Sequence, residues 1–124
     1  MLCRSSSILA FIGLLLCIPA THAAPPSFAE AGVPFLEKHC YACHGKDKQK
    51  GDLALHEFRD ELSVIKARKR WRDVIANVHS GDMPPDDKPQ PTADEKKRFL
   101  DSIAGIFANA DTAKPDPGRL TVTG

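Results

Sequence analysis

Two cysteines separated by two residues and followed at once by a histidine, Cys40-Tyr41-Ala42-Cys43-His44, constrain this chain more than anything else in it. The other cysteines, Cys3 and Cys17, fall in an N-terminal segment where Arg4 precedes an eleven-residue apolar run, Ile8 to Ile18, and then Pro19 and the small-residue site Thr21-His22-Ala23. That is the three-part pattern of an export signal, so residues 1–23 are expected to be removed and the remainder to work in the periplasm or an equivalent compartment outside the cytoplasm. The run is shorter than the roughly 20 residues of a bilayer span, so no stable membrane span is expected after cleavage. Lipidation at Cys17 is disfavoured by Leu14-Leu15-Leu16, which puts a bulky residue where a small one is needed. Cys40 and Cys43 alone remain in the mature chain, and an exported domain with one close cysteine pair has no disulfide framework.

The pair and its histidine form the CxxCH arrangement by which two thiolates add to the two vinyl groups of haem and the next residue ligates the iron. Two intervening residues let both sulfurs lie along one edge of the porphyrin, and the adjacent imidazole can turn beneath the ring centre. Composition agrees with a chain that encloses such a group. At 124 residues there is room for one domain, yet aromatic residues are only 6% (six Phe, one Tyr, one Trp), a thin supply of large core side chains unless a cofactor fills the interior. Two alternatives use the same residues. A zinc site would need Cys40, Cys43, His44 and His56 as ligands, without a second CxxC or HxxxH cluster to support it. A thioredoxin-like redox pair would sit in a βαβ pattern, whereas the flanks here read as helix and polar loop.

A haem iron wants a sixth ligand, and the mature chain holds a single methionine, Met83, within Gly81-Asp82-Met83-Pro84-Pro85. Its charged and proline-rich neighbours are not core sequence, which favours ligation over gap-filling. His39, His56 and His79 are the competing candidates. His39, next to Cys40, is poorly placed to reach the opposite face of a ring, while His79 lies four residues before Met83. Lys66, Arg68, Lys69, Arg70 and Arg72 make the densest charge run, read as a solvated helix face, with a docking patch for an acidic redox partner as its functional version. Trp71 inside it is expected to pack in the core or against the cofactor, with its indole N–H free to reach a haem propionate. Arg4 is the one charged residue of the export segment, so acidic and basic side chains balance in the mature chain and nucleic acid is not an expected partner.

Along residues 24–110 the pattern predicts helices. After Ser27, Phe28, Ala31, Phe35, Leu36 and His39 lie near helical spacing, with Pro34 placing the regular part from Val33 into Cys40. Residues 44–58 read as an exposed loop anchored by Leu53 and Leu55. Helical spacing resumes after Asp60 with Leu62 and Ile65, and Trp71, Val74, Ile75 and Val78 follow i, i+3, i+4, i+7 up to Ser80-Gly81. Gly81 to Pro91 is a stiff connection. Thr92 and Glu95 form a capping box before a last helix whose buried face is Phe99, Leu100, Ile103, Ile106, Phe107 and Ala110. Residues 111–124, with Pro115, Pro117 and Gly118, read as a linker-like tail.

The residues CYACHGKDKQKGDLAL and RWRDVIANVHSGDMPPDDKPQPTADEKKRFLDSI give the chain a resemblance to the class I cytochromes c. Within them it is most similar to the cytochrome c module at the N-terminus of large secreted proteins of planctomycetes and related bacteria. The resemblance spans about residues 34–110. It implies an all-α fold of three to four helices around one covalently attached haem c. Cys40 and Cys43 would be the thioether positions, His44 the proximal ligand and Met83 the distal one. It also implies one-electron transfer to redox protein partners rather than catalysis, and a further region following a linker like PDPGRL. The alternatives from another class are a haem enzyme or sensor with a labile sixth ligand, or the haem module of a larger periplasmic oxidoreductase.

Overall fold

A computed structural model describes residues 23–113. The expected export segment apart from Ala23, and most of the expected tail, lie outside the described residues. Helices carry the architecture, and among the described residues there is no strand, only an isolated bridge between His44 and Gln49. No helix among them is long and apolar enough to cross a membrane.

Five α-helices follow one another: α1 (Val33–His39), α2 (Tyr41–His44), α3 (Glu61–Lys66), α4 (Arg68–Ser80) and α5 (Ala93–Ala113). The count exceeds the expected three to four because two predicted helices are interrupted. Cys40, at φ −120° and ψ −39°, separates α1 from α2, and Ala67, at φ −100° and ψ 26°, separates α3 from α4. Before α1, Phe28–Gly32 forms a π-helical turn that the sequence reading left open. Its entry is closed by a capping box in which Ser27 Oγ accepts from the Glu30 N–H and the Glu30 carboxylate accepts from the Ser27 N–H. Pro34 sits in the first turn of α1, where its missing N–H leaves no bond unmade. The loop after His44 contains two short 3₁₀ turns, Lys50–Asp52 and Leu55–Glu57, which bury Leu55 and leave Leu53 half-buried.

The scarce aromatic residues are pooled in one place. Trp71 is fully buried between the edge-on rings of Phe28, with centroids 5.8 Å apart, and Phe58, at 5.2 Å, while Phe35 stacks on Phe99 at 4.2 Å. Val64, Leu36, Ile103 and Ile106 complete this core against α5. Leu62, expected to face inward, is 58% exposed, and Val64 takes that role because α3 starts afresh at Asp60, which sets its rotation.

The last helix extends three residues past the expected tail boundary at Asp111. The Arg68 guanidinium donates to both carboxylate oxygens of Asp111, at 2.7 and 2.9 Å, and to the Phe107 carbonyl at 3.1 Å, which ties this last turn to the start of α4.

Candidate functional site

The CxxCH segment is a single turn built on one carbonyl. Cys40 C=O accepts from the Cys43 N–H at 3.1 Å and from the His44 N–H at 2.9 Å. Gly45 ends the turn, and no other residue fits there, because a Cβ would stand 2.3 Å from the Tyr41 carbonyl oxygen. Neither cysteine is in a disulfide, and both are half-buried. Burial pushes the Cys40 thiol up to about 12, so in the polypeptide as it stands this sulfur is a neutral, apolar group.

Cys40 and His44 line a cleft of about 350 Å³ whose opposite wall is α4 and the segment after it. Leu53, Leu55, Val74 and Val78 supply its apolar surface, Arg70, Asp73 and Asn77 its polar border, and Met83 closes one side. Cys43 is not among the residues of this lining. The Nδ1 of His44 is buried without a hydrogen-bond partner.

Met83 reaches the cleft through the end of α4. Gly81 adopts the left-handed conformation, φ 92°, and its N–H donates to the Asn77 carbonyl at 3.2 Å. The Met83 N–H donates to the same carbonyl at 3.1 Å, and the single Ser80 hydroxyl proton donates to Asp82 Oδ2 at 2.6 Å, with the Asn77 carbonyl 3.1 Å from the same Oγ. Beyond Met83, the Gln90 side-chain amide donates to the carbonyls of Pro84, Pro85 and Lys88, which holds the proline loop closed. Met83 itself is 39% exposed.

The three competing histidines are elsewhere. The His39 ring is buried against Phe35, with Glu95 Oε2 3.6 Å from its Nε2. His56 borders a separate cleft with Tyr41, Lys46 and Arg59. His79 is exposed, its carbonyl accepting from Lys96 Nζ at 3.0 Å. Among the described residues no group of three or more His, Cys, Asp or Glu is placed to hold a metal ion, so the four residues of the zinc alternative are not gathered.

Residues 40–87, from the first cysteine to just past Met83, match the family model described as Planctomycete cytochrome C. This segment is similar to a planctomycete-type cytochrome c module. No curated protein and no solved structure matches the chain. The module ends before α5, so the helix that supplies Phe99, Ile103 and Ile106 to its core lies outside the matched residues. The similarity implies a covalently bound haem c, and the lining suits one: the sulfurs of Cys40 and Met83 and the His44 imidazole, whose buried Nδ1 has no partner among the described residues, share one cleft with Leu53, Leu55, Val74 and Val78. Sequence reasoning missed the polar border of the module's cleft. Arg70, Asp73 and Asn77 recur at i, i+3 and i+7, which marks a second face of α4 beside the Trp71 face, but the periodic apolar residues drew the reading to the first.

Proposed function

We propose that this chain is an exported electron carrier in which Cys40 and Cys43 hold one haem c through thioether bonds and His44 and Met83 are its axial ligands. The observation that carries the reading is that His44 and Met83 border the same apolar cleft as Cys40, whereas His39, His56 and His79 do not. Held by His44 and Met83, a haem would supply single-electron exchange at a raised potential, with no position left open to substrate. The polypeptide's part is to keep water from the site with Leu53, Leu55, Val74 and Val78 and to hold Met83 against the Asn77 carbonyl. Export to the periplasm or its equivalent rests on the pattern of residues 1–23. The partners are redox proteins, and the exposed cations Lys66, Lys69, Arg70 and Arg72 favour an acidic one by raising the encounter rate. A second reading, a haem enzyme or sensor with a releasable sixth ligand, is favoured by the exposure of Met83.

The test is the full chain expressed with a c-haem maturation system. Its mass should exceed that of the bare processed polypeptide by one haem that survives denaturation, and Cys40→Ala with Cys43→Ala should abolish this. Wild type should resist carbon monoxide and show the weak sulfur-to-iron charge-transfer band when oxidised. Met83→Ala should keep the haem, lose the band and bind carbon monoxide, while His79→Ala keeps the band. A bare wild-type mass overturns the cofactor assignment. A band that survives Met83→Ala overturns the ligand assignment, and carbon monoxide binding by wild type favours the second reading.

A further inference from the structure

We propose that Arg70 receives the carboxylate edge of the cofactor, an assignment that rests on the haem reading above. Haem is an apolar disc with two carboxylates on one edge, and a protein that buries the disc must leave that edge in water or give it a cation. Of the residues lining the cleft, Arg70 is the one lysine or arginine. It also lines a second, more open cleft of about 500 Å³ with Lys66, Lys69 and Asp73, so it stands where the apolar cleft gives way to the basic surface. That is where the polar edge of a half-buried disc belongs.

Three neighbours sharpen the assignment. Arg68, two positions earlier, is committed to Asp111 and to the Phe107 carbonyl. Trp71, whose indole N–H was expected to be free to reach a propionate, is fully buried between Phe28 and Phe58 with its Nε1 unpartnered among the described residues, and it does not line the cleft. Among the described residues Arg70 is in no ion pair with a carboxylate, although Asp73 lies one turn along the same helix, and its guanidinium carries a fork of donors that matches a carboxylate. The Asp52 carboxylate on the same lining repels an anionic edge, and Asp73, which borders both clefts beside Arg70, is the acidic neighbour that the arginine must outweigh.

The test compares the reduction potential of holoprotein variants across the mildly acidic to neutral range by spectroelectrochemistry. Covalent haem and the charge-transfer band are recorded first in each. Wild type should show a flat profile, because a carboxylate paired with a permanent cation stays ionised. Arg70→Gln should keep the haem and the band, lower the potential, and make it fall as pH rises, since the released carboxylate now titrates and its charge favours the oxidised iron. Arg70→Lys should restore most of the wild-type profile. Lys69→Gln removes the same charge from the outer cleft alone and should leave the profile flat. Equal effects of Arg70→Gln and Lys69→Gln, or a flat profile in both, would overturn the assignment while the haem reading stands. A wild-type chain without covalent haem removes both.

Discussion

The backbone N–H of Met83 donates to the carbonyl of Asn77 at 3.1 Å, so the sulfur-bearing loop is strapped to the last turn of α4 by a bond no side-chain substitution deletes directly. The strap depends on Gly81, which turns the chain at φ 92° with open space around its missing Cβ. Gly81→Ala is therefore expected to cost about 1–2 kcal/mol through backbone strain alone and to weaken the charge-transfer band. Gly81→Asn, which tolerates this conformation better, should recover much of both. Thermal unfolding and the optical spectrum of the holoprotein check this, and equal behaviour of the two variants would show that the turn does not position Met83.

Glu95 carries a pH dependence. A hydrogen bond from Lys38 Nζ at 2.5 Å, then one from the Thr92 N–H at 2.9 Å, lower its carboxyl from an ordinary value of 4.5 to about 2. A lowered folded-state value stabilises the fold above the ordinary value, and that contribution disappears as pH falls toward 2. Glu95→Gln should thus be less stable than wild type near neutrality, with the gap closing between pH 4.5 and about 2 in acid titrations followed by circular dichroism. A gap that is constant with pH would refute this.

At the start of α5, Thr92 Oγ1 accepts from the Glu95 N–H at 3.1 Å, the other half of the same capping box. Thr92→Ala should lower stability in denaturant titrations by about 1 kcal/mol without altering the haem spectrum, because α5 contributes nothing to the cleft lining. A spectral change would reveal coupling between this helix and the site.

The Arg68–Asp111 pair is partly exposed, so its charge term is small. Asp111→Asn should cost no more than about 1 kcal/mol, with the difference shrinking at high salt. Arg68→Ala should cost more, because it also removes the cation stacked 4.6 Å above the Phe107 ring and the bond to the Phe107 carbonyl. Urea titrations at two ionic strengths separate these contributions.

Much of the fold was legible because its signals are local. The α4 periodicity, the Ser80-Gly81 stop and the Thr92–Glu95 box each lie within a few residues, and all appear where the spacing put them. The breaks at Cys40 and Ala67 were not legible, since nothing in those side chains forbids a helix and the kinks serve packing between distant segments. The Phe28–Gly32 turn was half visible: Ser27 and Glu30 spell a capping box, but Pro34 drew the helix start to Val33. At the site, Cys40, His44 and Met83 line one cleft, while Cys43 does not line it. Trp71 was expected at the core or the cofactor, and choosing between them required knowing that Phe28 and Phe58, both remote in sequence, would meet it.

The two faces of α4 give the module a kind of evolvability. Trp71 commits one face to the fold, whereas Arg70, Asp73 and Asn77 border the cleft on the other and are themselves exposed. Under the proposed haem reading, exchanges at the exposed positions 70 and 73 would change the charge beside the cofactor while Trp71 and its aromatic partners stay buried on the other face.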